Sequence, residues 1–339
     1  MTMPRSGLRR GERPAVSVII PTYNRPAGAG MALASLSRQA FDLNRLEAIV
    51  VDDGSDEDYP ALTEGGWPFA VEQLRLENGG PSRARNAGAA RSGGDVLVFM
   101  DDDITLTPRV LERLVAGVEH AEKTIVLGTL VSCPPNPDAP FAARMLARER
   151  AAQAAERAGA RDGLVEIPFA HCLTGLLAVR RADFEMLGMF QDPTGGWPNW
   201  DDVDFGYRAH RAGFALVRHT AALAEHHDFA LGDLATYCDR MRRAGRAAVR
   251  LFERHPDLRR HLPMFRAMPP LDWRRDPPGL VARKLLRLAT ATAVGRAAAM
   301  ALARGLERAA PGSRALDAAY RWAIGAFICL GFQEGMIGA

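Results

Sequence analysis

Lysine is nearly absent. Lys123 and Lys284 are the only two among 43 basic residues, which leaves 41 arginines. Beside abundant alanine, this reads as the mark of a GC-rich genome rather than of an arginine-based function. Cysteine is sparse too. Cys133, Cys172, Cys238 and Cys329 lie far apart with no CxxC spacing, which argues against a zinc site or disulfide framework and fits a reducing compartment. Long apolar runs are lacking. The longest, Trp322–Phe332, has eleven residues, where a spanning helix needs about 20, so no transmembrane segment is predicted. No apolar stretch other than the short Val16–Ile20 follows Arg5, Arg9, Arg10 and Arg13, so no secretory signal is predicted. A surplus of one charge is also missing. With 43 basic and 40 acidic side chains the formal charge is +3, too even to point to nucleic acid.

What is present is an ordinary globular composition in 339 residues, 47% apolar and 24% charged. That is enough chain for one large domain or two modest ones. The first part alternates strand and helix patterns. Val16–Ile20, Leu46–Val51, Val71–Leu76, Asp95–Met100 and Ile125–Val131 read as strands. Ala29–Gln39, Ser82–Arg91 and Pro108–Glu122 read as helices between them. Such alternation implies βαβ units and a mostly parallel sheet, whose ligands bind beyond the carboxyl ends of the strands. Further on, Cys133–Pro140 reads as loop and Arg144–Arg161 as an exposed helical insertion. His171–Val179 reads as a buried strand, Gly195–Asn199 as a loop, Asp201–Gly213 as a helix and Ala215–Val217 as a short strand. Beyond Leu231 the pattern is helical and basic.

Two acidic clusters follow directly on buried strands: Asp52, Asp53 and Asp56 after one, Asp101, Asp102 and Asp103 after another. Aspartate is a good turn and cap residue, which explains one such cluster. Two on the ligand edge of one sheet are harder to explain that way. Adjacent carboxylates repel and call for a compensating cation or polar ligand. Oxygen ligands suit Mg²⁺ or Mn²⁺, and Mg²⁺ pairs one or two carboxylates with substrate phosphates. This points to a nucleoside diphosphate. The segment Asn78–Gly88 adds glycines, a serine able to cap a helix at Ser82, and arginines that favour anionic groups. An ordinary glycine loop with surface arginines would look the same.

Together, VSVIIPTYNR (16–25), AIVVDDGSDED (48–58), ENGGPSRARNAG (77–88), VLVFMDDDITLTP (96–108) and WDDVDFGYRAHRAGF (200–214) resemble glycosyltransferase family 2, over roughly residues 15–228. The resemblance implies the GT-A fold, a Rossmann-like α/β arrangement with a mostly parallel central sheet flanked by helices. That domain would span 1–230, with a nucleotide-binding half at about 15–132 and an acceptor half at about 133–230, followed by a helical extension at 231–339. It implies an inverting, metal-dependent enzyme that moves a sugar from a nucleoside-diphosphate sugar to an acceptor hydroxyl.

By the same resemblance, Thr22, Tyr23 and one of Asp52 and Asp53 contact the nucleoside, and Arg85 lies near the nucleotide. Asp101 and Asp103 are the two acids of the DxD motif, with Asp103 the direct metal ligand, Asp101 by the ribose and phosphates, and Asp102 in the variable middle place. Asp201 and Asp202 match the Glu-Asp motif of the acceptor helix, with Asp202 the general base; Asp201 departs from the motif by being shorter than Glu. His226 or His227 completes the metal site, or else is a solvated loop histidine. Trp200 stacks on a sugar, with Trp197 more a core residue, and Thr174 and Gly175 line the acceptor side.

The acceptor implied is a saccharide, a lipid-linked oligosaccharide or a small molecule, in cell-surface polysaccharide or glycoconjugate synthesis. The place is the cytoplasm or the cytoplasmic face of the membrane. Met241–Arg260 and Lys284–Arg308 have basic amphipathic patterns that allow peripheral contact with an anionic membrane. Helices packed on the catalytic domain are the plainer reading. A polyprenyl-phosphate sugar synthase shares the first motifs but has less need of a base at Asp201-Asp202, and a non-catalytic sugar-nucleotide-binding protein would be expected to lose an acidic motif.

Overall fold

The computed structural model describes residues 15–56, 59, 62–192, 200–227 and 231–338. The apolar β-branched runs form strands where the pattern places them. β1 (Val16–Thr22), β2 (Leu46–Asp52) and β4 (Val96–Met100) are buried along their whole length. Continuous apolar runs of this kind belong to parallel strands covered on both faces. β3 (Ala70–Arg75) is half-buried. α1 (Pro26–Leu36) and α2 (Pro81–Arg91) open with proline in the first turn, where the missing N–H costs nothing. α3 (Val110–His120) follows β5 (Ile104–Leu106), a short strand the pattern does not signal.

Beyond these lie β6 (Thr124–Ser132), α4 (Pro140–Gly159), β7 (Leu164–Glu166), β8 (Leu176–Arg180), α5 (Arg181–Met186), α6 (Asp201–Arg211) and β9 (Ala215–His226). The described residues form one nine-stranded sheet in the order β3-β2-β1-β4-β8-β6-β9-β5, with β7 also pairing β9. β1 is parallel to β2 and β4, and β2 is parallel to β3. β8 then runs antiparallel to both β4 and β6, β6 is parallel to β9, and β5 and β7 are antiparallel to β9. The nucleotide-side half is thus parallel and the rest is mixed.

Four elements differ from the sequence reading. β9 is twelve residues long rather than three, because the strand continues through the polar run Arg218-His219-Thr220 while two strands and a bulged third pair with it. The strand read over His171–Val179 begins only at Leu176, after a 3₁₀ turn at Phe169–His171. α4 begins at Pro140, four residues before the helix read over Arg144–Arg161, and although mostly exposed beyond Leu146 it is tied to β6: Ser132 donates its backbone N–H to Glu149 at 2.9 Å, and Gln153 donates to the carbonyl of Leu130 at 2.9 Å. The helix read over Lys284–Arg308 is two helices, α9 (Pro278–Thr290) and α10 (Ala293–Ala309), bent by 86°.

The chain divides into two compact units, Met1–Cys133 with Arg148–His227, and Pro134–Ala147 with Asp228–Ala339. The first holds the sheet. The second holds α7 (Leu234–Arg254), α8 (Leu258–His261), α9, α10 and α11 (Arg314–Ile337). Its α7 and α11 approach closely because glycines face backbone. A Cβ on Gly245 would stand 2.5 Å from the carbonyl oxygen of Ile328, and one on Gly335 would stand 2.5 Å from that of Arg246. Among the described residues α11 alone is a single helix long and apolar enough to cross a bilayer, and 56% of its most apolar window is buried in the protein.

Candidate active site

Parallel pairing brings the ends of β1, β2 and β4 to one edge, with Thr22 opposite Asp52. Burial there is deep enough that each carboxylate must find partners. Thr22 Oγ1 donates to Asp102 Oδ2 at 2.7 Å and lies 3.0 Å from the Tyr59 hydroxyl. Asp102 therefore points into the fold. Burial pushes its pKa up to about 6, against the pull of the Thr22 hydroxyl and of Arg25. Arg25 reaches across from the end of β1. Its Nη1 lies 3.3 Å from Asp102 Oδ1 and 2.9 Å from Asp103 Oδ2. Burial and the neighbouring Asp101 raise Asp103 as well, while His226 and Arg25 oppose the rise.

The other oxygen of Asp103, Oδ1, is buried with no hydrogen-bond partner. It faces His226 Nε2 at 3.6 Å. An orphaned carboxylate oxygen beside an imidazole is a donor set that suits a divalent ion such as Mn²⁺ or Mg²⁺. The adjacent His227 is turned away: its backbone N–H donates to the Asp103 carbonyl at 2.9 Å and its ring nitrogen lies 3.2 Å from Thr105 Oγ1. Among the described residues no group of three or more His, Cys, Asp or Glu side chains is gathered around one point as for a metal ion. Asp103 and His226 are a pair, with Asp101 committed to Arg85.

The aspartates after β2 are tied to the backbone around them. Asp52 Oδ1 accepts from the N–H and the hydroxyl of Ser55 at 2.9 and 2.6 Å. Its Oδ2 is buried without a hydrogen bond, 3.7 Å from Arg75 Nε. Asp53 accepts from the N–H groups of Gly79 and Gly80 at 3.0 and 2.8 Å, and so holds the glycine loop that leads into α2. Burial nevertheless raises its pKa. Gly54 has φ +76°, and a Cβ there would stand 2.5 Å from the backbone nitrogen of Asn78, so only glycine fits this approach. Asn24 bridges to Ser55 and Asp56 at the rim, where Tyr23 is 45% exposed.

Arg85 joins the strand ends to α6. It is buried, with Nη2 2.7 Å from Asp101 Oδ1 and Nη1 2.8 Å from Asp201 Oδ2. Ser82 Oγ donates to the same Asp201 oxygen at 3.0 Å. Ser82 is therefore a partner of Asp201 rather than the helix cap, and Gly80 with φ 88° precedes the helix instead. Burial works to lower the pKa of Arg85, but Asp101 and Asp201 outweigh it and hold the guanidinium charged.

Asp202 sits in the first turn of α6 and accepts the Val203 N–H at 2.7 Å through Oδ1. Burial, then the neighbouring Asp201, pushes its pKa up to about 7, while the Val203 amide and Arg85 pull the other way. Such a carboxyl is poised to take up a proton near neutrality. Gly206 lets α6 seat on the preceding turn, since a Cβ there would stand 2.6 Å from that of Cys172. Trp200 precedes the helix with φ 76°, and its carbonyl accepts the Asp204 N–H at 2.8 Å. Thr174 is buried, and the Gly175 carbonyl accepts the Asp101 N–H at 3.0 Å, which sets Gly175 against Asp101. Trp197 and the rest of 193–199, like the N-terminal arginines, lie outside the described residues.

The structure thus gathers Thr22, Asp101, Asp102, Asp103 and His226, and links Asp101 through Arg85 to Asp201. Sequence reasoning missed Arg25 and Tyr59. Arg25 carries a weak signal, a cation one turn after a strand end. Tyr59 has none.

Glycosyl transferase family 2 matches residues 17–184. Validoxylamine A glucosyltransferase of Streptomyces hygroscopicus is 26% identical over 225 residues, covering 60% of this chain and 53% of that protein. A mannosyltransferase from Pyrobaculum calidifontis, solved with GDP-Man and Mn²⁺, superposes with a TM-score of 0.57 at 19% identity, covering 98% and 90% of the two chains. S. aureus TarS 1–349, solved with UDP, superposes with a TM-score of 0.50 at 17% identity, covering 96% and 92%. The chain spans about half the length or less of the first curated relatives it matches, 53% of one and 35% of another.

Proposed function

Because the chain belongs to glycosyltransferase family 2 and has the GT-A fold, we propose that it transfers a sugar from a nucleoside-diphosphate sugar to an acceptor hydroxyl, with inversion at the anomeric carbon. The observation that carries this reading is the link Asp101–Arg85–Asp201. It supports the reading because it ties the Asp101–Asp103 cluster, which with a divalent cation would accept a diphosphate, to the helix that carries Asp202, a carboxyl with a pKa of about 7.

Asp202 takes the proton of the acceptor hydroxyl, at the oxygen the Val203 amide leaves free. The hydroxyl oxygen bonds to the anomeric carbon as the bond from that carbon to the diphosphate oxygen breaks, and the nucleoside diphosphate leaves with the electron pair. One displacement gives inversion. Thr22 and Tyr23 at the end of β1, and Asp52 beside them, face the nucleoside. Asp103 with His226 would hold Mg²⁺ or Mn²⁺, and the ion would supply positive charge against the departing diphosphate. Arg85 acts as a positioning residue, since both ends of its guanidinium are already engaged. The raised pKa of Asp202 favours a hydroxyl acceptor over a polyprenyl phosphate, which needs no base. The acceptor is a saccharide, a lipid-linked saccharide or a small molecule, and the setting is cell-surface polysaccharide or glycoconjugate synthesis at the cytoplasmic side of the membrane. The mannosyltransferase and TarS structures, with GDP-Man and Mn²⁺ and with UDP, support a nucleotide-sugar donor.

The test is a panel of nucleotide sugars with Mn²⁺, Mg²⁺ or chelator, read by thermal stabilisation and by slow donor hydrolysis. One donor should stabilise the protein in the presence of metal. Asp103→Ala should weaken its binding and Asp202→Asn should abolish turnover while leaving donor binding intact. Failure of every donor to bind, with and without metal, would overturn the reading.

A further inference from the structure

The second unit carries an apolar face with an unusual charge pattern. From Pro277 to Leu306 there is no carboxylate in thirty residues, although the chain as a whole has 40 in 339 and would place three or four there. The same stretch has five cations, Arg283, Lys284, Arg287, Arg296 and Arg304. Lys284 is buried on Asp276 at 2.5 Å, and Arg296 lies over the Phe327 ring. Arg283 and Arg304 are exposed.

The apolar side chains of α9 and α10 do not all turn inward. Leu286 is 64% exposed and Val294 80% exposed, with Leu285 and Leu302 also in solvent. Their neighbours at helical spacing, such as Ala289 on α9 and Ala298 on α10, are exposed too, so each helix carries an exposed apolar stripe at the three- and four-residue spacing of a helix face. Trp273, just before α9, is 71% exposed. Apolar faces of this kind on a folded protein mark contact sites. The charge pattern selects the partner. Two copies meeting face to face would set arginine against arginine. An anionic lipid surface complements it, taking apolar side chains at the level of the headgroups while arginines reach the phosphates.

We propose that the outer face of α9 and α10 docks on an anionic phospholipid bilayer, with Leu285, Leu286, Val294 and Leu302 at the boundary of headgroups and acyl chains and Arg283 and Arg304 on the lipid phosphates. The contact is peripheral: the 86° bend between the two helices suits a pair lying along a surface. It is independent of the transfer reaction, and binding is read with no sugar donor present.

The experiment is cosedimentation of the full chain with vesicles of phosphatidylcholine alone, and of phosphatidylcholine with phosphatidylglycerol. The anionic vesicles should bind at least about tenfold more tightly at low salt, and added salt should weaken that binding. Leu286→Glu with Val294→Glu, and separately Arg283→Glu with Arg304→Glu, should each weaken it by about tenfold or more. All four positions are exposed, so the melting temperature should stay that of the parent. Equal binding to both vesicle types, undiminished binding by the Leu286→Glu/Val294→Glu variant, or a lipid-free dimer that this variant disperses would each overturn the proposal, the last in favour of self-association.

Discussion

Asp103 Oδ1 stands 3.6 Å from His226 Nε2, buried and without a hydrogen bond. A buried acceptor left open in this way costs stability unless something cationic meets it. The neighbouring His227 is engaged with Thr105 instead. The two histidines can therefore be separated by substitution. His226→Ala should weaken Mn²⁺ binding by at least about tenfold, the scale on which changes around a metal site are felt. His227→Ala should leave it near the parent value. Titration followed by the Mn²⁺ electron paramagnetic resonance signal measures both, and equal effects would reject the assignment.

Asp202→Asn should lower kcat by about 10²–10⁴ with little change in donor KM, the range general-base removal covers. In the parent, kcat/KM should rise with pH through about 7, where the Asp202 carboxyl ionises. A profile flat through that region would remove Asp202 as the base.

The same group affects stability with a definite sign. Its folded-state pKa lies above the ordinary carboxyl value, so ionisation is easier in the unfolded chain. Its contribution is largest in acid and is lost as pH rises from about 4 through about 7. The melting temperature of Asp202→Asn relative to the parent should therefore climb between about pH 5 and pH 8. Scanning calorimetry at the two values checks it.

Arg85→Ala strands the buried Asp201 and the half-buried Asp101 without their shared cation. Loss of one member of a buried ion network costs about 3–5 kcal/mol, and denaturant unfolding should show it. Arg85→Lys keeps the charge but not the two-pronged reach, and should recover part of the loss. Full recovery would mean that charge alone matters there.

Gly54→Ala meets two obstacles, φ of +76° and a Cβ 2.5 Å from the Asn78 backbone nitrogen. A loss of at least about 1 kcal/mol is expected from the backbone conformation alone. An unchanged denaturation midpoint would show that the loop gives way easily.

Much of the site was legible because parallel strands are near-continuous apolar runs. That made the ends of β1, β2 and β4 visible, and with them Thr22, Asp52 and Asp101–Asp103. Their individual partners were less legible. Asp53 looks like a ligand residue but is spent on the Gly79 and Gly80 amides, and Asp201 is spent on Arg85 and Ser82. Sequence shows which carboxylates reach an edge but not which backbone donors lie opposite. β9 escaped because Arg218-His219-Thr220 interrupt its apolar pattern, and the residues beyond them are held extended by pairing with β5 and β6. The break between α9 and α10 falls at Thr290–Thr292, where no glycine or proline announces it.

Arg85 also works as a gauge. Asp101 and Asp201 are one hundred residues apart in the chain, yet only one planar side chain separates their carboxylates. The gap between the end of β4 and the first turn of α6 is thus set by the width of a guanidinium rather than by the drift of two loops. On the proposed reaction the sugar would have to span that fixed interval, so altering the spacer should change which substrates fit as well as how firmly the protein holds together.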